Sequence, residues 1–304
     1  MSLRQTASVR LRLMTYNIGG GRKDSGTAFD SVIEVIRKEA PDVLVVQEAT
    51  EWLDAEQRLH STALSIAQAL GYMQESYMGP TLSMQEHFQT NKAIFVNAVF
   101  NDWLDWHQGN AILSRWGFAR LGDPLQAGRP RNIPLFRPVQ YEGSRDTEPR
   151  SALLARLNHE PIYPFIIGMH LSTLRGERGG PEREIAGKSA EAREMRTRQV
   201  RNLIDLIRDH LLNQNELVLL MGDFNAAASE PCIADVLEVE AKFVRLVPSN
   251  TDVPTHLFKI VEPIDHIFVY PVSRLIDYRC RIVDTPPAFQ ASDHLPVVAD
   301  IDVA

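Results

Sequence analysis

Apolar and polar positions alternate in some stretches of the chain and recur at helical spacing in others. Residues 9–16 alternate apolar and charged side chains, which predicts a half-exposed strand, whereas the apolar run within 43–50 predicts a buried strand. Between them, the apolar residues of 27–39 lie on one face of a predicted helix. A second helix is expected over 59–70, with Gly71 as its cap.

The second half of the chain continues this alternation of strands and helices. A buried apolar stripe predicts a long helix at 182–212. Apolar runs predict strands at 151–157, 163–171, 217–225, 264–270, 278–284 and 294–303. Strands that pair in succession, interrupted by helices that must cover both faces, indicate an α/β fold built as a layered sandwich rather than a barrel.

The region 72–150 has a weaker pattern, with several prolines and one short strand at 110–114. A long segment of this kind is usually a functional or mobile loop. We therefore expect a single domain over 9–304 with an irregular insertion at about 72–150. Residues 1–8 are expected to be a disordered segment or a tag remnant.

Composition narrows the class of protein. A hydrophobic fraction of 44% is that of a soluble globular protein, and a net charge of -7 argues against a protein that coats nucleic acid. With no metal-ligand spacing around them, Cys232 and Cys280 are expected to be buried thiols in a reducing compartment. The N-terminus resembles neither a signal peptide nor a transmembrane segment, so we expect a cytoplasmic protein.

Polar residues able to bind a metal or a phosphate stand beside six of the apolar runs. They are Asn17, Glu48, His170, Asp223 with Asn225, Asp265, and Asp293 with His294. Each alone could be a turn residue, a helix cap or a structural histidine. Because the structural explanation would require six coincidences, we interpret the set as one functional site.

Hydrolysis of a phosphate ester is the chemistry that uses such a set. Hard divalent cations take oxygen ligands and keep positions for water and substrate phosphate, which suits Glu48. Asp223 can orient or deprotonate the attacking water, and asparagine carboxamides can donate to phosphate oxygens. A histidine beside a carboxylate can donate a charged hydrogen bond, and both His170 and His294 are available for this role.

The motifs "TYNI", "VVQEA", "GNAILS", "GMHL", "GDFNA", "IDHIFV" and "SDHLPVVADI" together resemble the successive signatures of the endonuclease/exonuclease/phosphatase superfamily. The resemblance spans residues 13–302. It implies a deoxyribonuclease I-like fold, a four-layered α/β sandwich of two packed mixed sheets flanked by helices. It also implies a site at one sheet edge that depends on Mg²⁺ or Mn²⁺.

The resemblance also implies a role for each motif residue. Metal ligands would be Glu48, Asn17 and Asp293. Phosphate would be bound by Asn17, Asn225, His170 and His294. The catalytic set would be His170 as acid, Asp223 positioning the water, Asn225, Asp265 assisting, and Asp293 orienting His294. His266, beside Asp265, is expected to be structural.

Two departures separate the chain from particular branches of the superfamily. Abasic-site endonucleases follow the "QE" pair with Thr-Lys, whereas this chain has Ala49 and Thr50. Secreted deoxyribonucleases rely on disulfides that two cysteines cannot reproduce. Both differences argue against close kinship with abasic-site endonucleases or with secreted deoxyribonucleases.

We therefore expect a divalent-metal-dependent phosphoesterase, and a phosphodiesterase before a monoesterase. A DNA or RNA endonuclease or exonuclease is the first alternative, and a catalytically inactive phosphate-binding module with the same fold is another. A nucleic acid would use exposed cations and aromatic rings, namely Arg129, Arg131, Arg137, Arg175, Arg178, Trp103 and Trp106. Small molecules, lipid headgroups and nucleic acids remain open as substrates, as does the oligomeric state.

Overall fold

A computed structural model of the chain shows two mixed β-sheets packed face to face, with helices on the outside. It describes residues 8–19, 28–83, 100, 102–138, 141–142, 144–178, 182–257 and 260–304. The expected N-terminal segment lies outside the described residues except for residue 8.

The first sheet contains β1 (Val9–Asn17), β2 (Val43–Leu53), β3 (Leu59–Ser61), β4 (Glu75–Ser83), β5 (Leu104–Ser114), β14 (Leu275–Ile282) and β15 (Val297–Val303). Its strand order is β14-β15-β1-β2-β5-β4, and β3 pairs with β2. The pair β1 and β2 is parallel and the other pairs are antiparallel, so the sheet is mixed.

The second sheet contains β6 (Phe118–Arg120), β7 (Asp123–Ala127), β8 (Arg131–Phe136), β9 (Arg150–Leu157), β10 (Phe165–His170), β11 (Val218–Asp223), β12 (Val244–Arg245) and β13 (Asp265–Tyr270). Its strand order is β12-β13-β11-β10-β9-β6-β7, and β8 pairs with β9. Here β10 and β11 form the parallel pair.

Within the described ranges the α-helices are α1 (Ala28–Glu39), α2 (Thr62–Leu70), α3 (Glu182–Ile207) and α4 (Pro286–Ala291). Two π-helical segments lie at Arg208–Leu212 and Cys232–Glu240, and two short 3-10 helices lie at Arg145–Thr147 and Val272–Arg274. Gly71 ends α2 with a φ of 72°, and its N–H donates to the carbonyl of Ala67, which confirms the expected cap. None of the helices in the described ranges is long and apolar enough to cross a membrane.

Side-chain alternation along β11 shows how the layers form. Leu219 and Met221 pack into the cluster between the two sheets. Val218 and Leu220 point the other way, into a cluster that includes α3 residues such as Leu203. A strand buried on both faces is apolar at every position. Helices outside both sheets complete the four layers expected from the resemblance.

The region 72–150, expected to be an irregular insertion with one short strand at 110–114, contributes β4 to β8 to the two sheets where the structure describes it; residues 84–99, 101, 139–140 and 143 lie outside the described residues. Strands β4 and β8 are hard to recognise in the sequence because each contains a proline, Pro80 or Pro134, at the point where its pairing register shifts. Leu59, the expected start of the second helix, lies in β3 and is 52% exposed. Short strands of this kind are defined by their pairing partners rather than by their own periodicity.

Candidate active site

The ends of neighbouring strands bring the motif residues to one edge of the sandwich. Because β10 and β11 are parallel, His170 pairs with Asp223, and antiparallel β13 places Asp265 on the other side of Asp223. In the first sheet, Asn17 ends β1 beside the part of β2 that carries Glu48. The Nδ2 of Asn17 donates to Oδ2 of Asp223 at 3.0 Å, which joins the two sheets at this edge.

Unusual backbone conformations orient the side chains of Glu48 and Asn225. The pairing of β2 with β5 shifts register between Val46 and Ala49, and Glu48 within this bulge has a φ of 57°. Bulges redirect side chains and are common next to active sites. Asn225, two residues after β11, has a φ of 49°, a conformation that asparagine tolerates better than most residues.

Asn17 contacts both carboxylates that face it. Its Nδ2 also donates to Oε1 of Glu48 at 3.2 Å, and its Oδ1 accepts from the backbone N–H of Gly19 at 3.0 Å. The other carboxylate oxygen of Glu48, Oε2, accepts from Nε2 of Gln108 at 3.5 Å. The carboxamide therefore fixes Glu48 relative to Asp223 across the two sheets.

His294 is held by Asp265 and not, as the resemblance implied, by Asp293. Its Nδ1 lies 2.9 Å from Oδ2 of Asp265, and its Nε2 lies 3.7 Å from Oδ2 of Asp223. The Oγ1 of Thr255 accepts from the backbone N–H of Asp265 at 3.1 Å and keeps this carboxylate in place. The expectation that Asp293 orients His294 is wrong, because successive side chains of an extended segment point to opposite sides.

Two carboxylates keep the ring of His294 charged. Burial alone would lower the pKa of His294, but Asp265 and Asp223 outweigh it and raise that pKa to about 10. Burial raises the pKa of Asp265 to about 6, so this group is still ionised at neutral pH. His294 is therefore an imidazolium between two carboxylates.

His170 differs from His294 in charge. Burial, and next the positive charge of Arg150, lower the pKa of His170 to about 3, although Asp223 opposes them. The Nε2 of His170 lies 3.4 Å from Oδ2 of Asp223. Only His294 can supply the charged hydrogen bond expected of either histidine, while neutral His170 can donate one uncharged hydrogen bond.

Asn225 is held on both sides by its surroundings. Its Nδ2 donates to the carbonyl of Leu171 at 3.0 Å, and its Oδ1 accepts from Nη1 of Arg178 at 3.0 Å. A second nitrogen of Arg178 donates to the Asn225 carbonyl at 3.0 Å. One Nδ2 hydrogen remains for a substrate oxygen, which is the donor that the expected phosphate-binding role needs.

Helix α3 anchors the two loops that leave β10 and β11. The side chain of Arg196 is fully buried and forms ion pairs with Glu177 and Glu230, each at 2.8 Å. Gln199 on the same helix donates from Nε2 to the hydroxyl of Ser172 at 2.7 Å and accepts from the Ser172 backbone N–H at 3.1 Å. These contacts position the loops that carry Arg178 and Asn225.

A divalent cation fits the side of the site occupied by Glu48 and Asp293. Burial, and then the negative charge of Asp293, raise the pKa of Glu48, and no cationic side chain among the described residues forms an ion pair with it. A cation with oxygen ligands would relieve this repulsion. Gly19 leaves room for it, since a Cβ there would lie 3.1 Å from Oδ1 of Asp293. Asn17 lies against the same carboxylate of Glu48.

A second group of possible ligands fits a cation less well. Asp223, Asp265 and His294 offer ligand atoms within 4.8 Å of one another. This group already contains the positive charge of the imidazolium, and a metal-bound histidine must be neutral. We therefore favour the Glu48 side.

The site opens into a cleft of about 310 Å³, which is lined by Glu48, Gln108, Asn110, Glu148, Arg150 and His170 among others. Arg150 is almost fully buried, and its Nη2 donates to Oε2 of Glu148 at 2.6 Å. Arg150 and Glu148 are absent from the set of site residues expected from the sequence. Arg150 begins β9 and Glu148 lies two residues before it, so both stand beside an apolar run like the other residues of the site.

Three further residues of the site carried no sequence signal that we recognised. Thr255 and Ser292 act through backbone groups: the Ser292 hydroxyl donates to the carbonyl of Asn17 at 2.8 Å and accepts from the backbone N–H of His294 at 3.2 Å. Gln108 acts through Glu48. The Nε2–H of His266 donates to the carbonyl oxygen of Ala226 at 2.9 Å, in keeping with a structural role.

The fold is similar to that of several solved structures. A structure of an endonuclease/exonuclease/phosphatase from Beutenbergia cavernae DSM 12333 has a TM-score of 0.66 and 22% identity, and the match covers 97% of this chain and 72% of that one. Truncated Caenorhabditis elegans TDP2 gives 0.58 and 14%, covering 96% and 97%. The human Nocturnin catalytic domain with bound sulfate gives 0.61 and 17%, covering 97% and 95%. Likeness at these identities shows the fold.

The family assignment comes from the sequence profile of the Endonuclease/Exonuclease/phosphatase family, which matches residues 14–294. A comparison with curated proteins gives no match. The profile spans every motif residue of the site from Asn17 to His294. The chain therefore belongs to the endonuclease/exonuclease/phosphatase family.

Proposed function

We propose that this protein is a divalent-metal-dependent phosphodiesterase that hydrolyses its substrate by in-line attack of an activated water. One observation carries the proposal. The imidazolium of His294, held between Asp265 and Asp223, shares one edge with the carboxylate of Glu48 and the carboxamide of Asn17. The arrangement combines a charged donor, a water-binding carboxylate and a cation-binding carboxylate, which are the groups that phosphoester hydrolysis uses.

Asp223 is suited to orienting the attacking water. Burial would raise the pKa of Asp223, but His294 and His170 lower it to about 2, so the carboxylate is ionised and weakly basic at neutral pH. Its Oδ1 accepts from the backbone N–H of Asn225 at 2.8 Å. Oδ2 faces the two histidines and can accept a hydrogen bond from water there.

His294 would donate to an oxygen of the reacting phosphate. As an imidazolium fixed through Nδ1, it directs Nε2–H without first taking up a proton. A fixed charged donor stabilises the negative charge that grows in the transition state. Mg²⁺ or Mn²⁺ held by Glu48, Asn17 and Asp293 would neutralise charge on the phosphate oxygens.

A direct assay tests the proposal. The purified protein should hydrolyse bis-p-nitrophenyl phosphate when Mg²⁺ or Mn²⁺ is present, and EDTA should abolish the reaction. Asp223→Asn should lose the activity, whereas Asp235→Asn, an exposed control on the Cys232–Glu240 segment, should keep it. Faster hydrolysis of p-nitrophenyl phosphate than of the diester would show a monoesterase. No metal-dependent turnover of a panel of phosphoesters would favour the inactive phosphate-binding module.

A further inference from the structure

A second cavity adjoins the catalytic cleft on the side of β8. We call it the side pocket; it is small, about 280 Å³ including space open to solvent, and is lined by Pro80, Thr81, Pro134, Phe136, Arg137 and Arg150 among others. It is too small for a whole ligand, and its size suits one substituent of a larger substrate. The side pocket and the cleft share Thr81, Pro149, Arg150 and Ser151 in their walls.

Irregularities in two strands create the side pocket. The pairing of β4 with β5 shifts register between Pro80 and Leu82, and the pairing of β8 with β9 shifts between Pro134 and Phe136. The β8 shift lies opposite Arg150, which pairs with Phe136. Since bulges displace a strand locally, these two shifts shape the wall of the side pocket where β4 meets β8 and β9.

The electrostatic character of the side pocket differs from that of the whole chain. The chain has a net charge of -7, yet none of the described residues that line this pocket is acidic, and two are arginines. Arg137 is exposed, and no acidic side chain in the described ranges lies within ion-pair distance of it. The hydroxyl of Thr81 and that of Ser151 are hydrogen-bonded to each other in the same wall.

Arg150 connects the two cavities. Its side chain is 6% exposed, and its Nε has no hydrogen-bond partner among the described residues, although its Nη2 pairs with Glu148. A buried donor without a partner is unfavourable unless a ligand satisfies it. A guanidinium in this position can face anionic oxygens from both cavities.

We propose that the side pocket binds a second anionic group of the substrate, a phosphate or carboxylate separate from the phosphodiester that is cleaved. This inference rests on the proposed function, because it places the scissile phosphodiester in the cleft. Arg137 would bind the second anion from the pocket mouth and Arg150 from the shared wall. The apolar surface of Pro80, Pro134 and Phe136 would exclude water from this contact and strengthen it.

The test uses two pairs of probes, each differing by one phosphate. The nucleotide pair is thymidylyl-thymidine with and without a 5′-phosphate, and the lipid-headgroup pair is glycerophosphoinositol with and without a 4-phosphate. We expect kcat/KM to be roughly tenfold higher for the phosphorylated member of at least one pair, the gain expected of one charged hydrogen bond. The pair that shows the gain identifies the source of the substrate.

The matched variants are Arg137→Ala and Arg131→Ala. Arg137 lines the side pocket but not the cleft, while Arg131 is an exposed arginine of the same strand region that lines neither. Arg137→Ala should reduce the ratio between pair members towards one and leave turnover of the unphosphorylated member unchanged. Arg131→Ala should keep the ratio. An equal ratio in the unmodified protein, or a preference that survives Arg137→Ala, overturns the inference.

Equilibrium binding separates this inference from the proposed function. Calorimetric titration of all four probes in EDTA should show tighter binding of the phosphorylated member, and Arg137→Ala should remove the difference. A preference that depends on Arg137 without any turnover would support the side pocket while refuting the phosphodiesterase. Turnover without a preference refutes the side pocket alone. Failure to bind any of the four probes also overturns the inference.

Discussion

His294 is the single side chain whose loss should reduce turnover most. Its ring lies between Asp265 and Asp223 and is charged at neutral pH. We expect His294→Ala to lower kcat on bis-p-nitrophenyl phosphate by about 100-fold or more, the usual effect of losing one transition-state donor. The control is His210→Ala, which removes an exposed histidine. If His294→Ala matches the unmodified protein, the role assigned to this residue is refuted.

Glu48 should determine affinity for the cation rather than the chemical step. The repulsion between Glu48 and Asp293 is what a bound cation would relieve. Glu48→Gln keeps the shape but removes the charge, so the dissociation constant for Mn²⁺ should rise by roughly tenfold or more, as ligand-shell changes typically do. Calorimetric titration with Mn²⁺ measures this dissociation constant directly. The control is Glu75→Gln, which changes an exposed glutamate at the start of β4. An unchanged dissociation constant would place the cation elsewhere.

His159 should make the fold sensitive to acid. It stacks on Trp116 with ring centroids 3.8 Å apart, and burial lowers its pKa. Since the unfolded chain binds a proton more readily, stability from this residue is complete above about pH 6.5 and decreases as the pH falls below that value. His159→Phe should therefore show a smaller loss of urea stability between pH 7.5 and pH 5 than the unmodified protein. His210→Phe is the exposed control, and an unchanged pH slope in His159→Phe would contradict this account.

The residue types of the candidate site were predictable from the sequence, but their partners were not. The strand-end acids and amides were recognisable because each ends or begins an apolar run. The choice of Asp265 over Asp293 as the partner of His294 depends on how β13 approaches the segment after α4. Arg150 stands at the start of an apolar run like the other residues of the site, but its burial was not predictable because arginine is usually exposed.

The close approach of β10 and β11 holds His170 beside Asp223. A Cβ at Gly222 would lie 2.0 Å from the carbonyl oxygen of Met169, a backbone atom of the neighbouring strand. Gly222→Ala must push the two strands apart, and we expect it to lower the free energy of unfolding by about 3 kcal/mol. Urea denaturation measures the effect. Gly117→Ala, where nothing lies within 4 Å of the added Cβ, should be near neutral, and equal effects would contradict the explanation.

Long periodic elements were predicted more accurately than short paired ones. The helix expected at 182–212 is α3 followed by a π-helical turn, and the run before "GDFN" is β11. Both are long or buried on two faces, so their own sequence specifies them. Strands β4 and β8 contain prolines and bulges, and they exist because partners distant in the chain pair with them. Information of that kind is not local in the sequence.

The net charge of the protein should limit its electrostatic affinity for nucleic acid. The net charge is -7, and among the described residues the cleft and side pocket have two arginines, of which Arg137 is exposed and Arg150 is buried. With about two cations facing a substrate, the logarithm of the affinity for a single-stranded oligonucleotide should fall against the logarithm of salt with a slope of about -1.4. Fluorescence anisotropy with a labelled oligonucleotide between low and physiological salt measures this slope, and Arg137→Ala should make it shallower. A slope steeper than about -4 in the unmodified protein would require an extended basic surface and would favour the nuclease over a phosphodiesterase of small substrates.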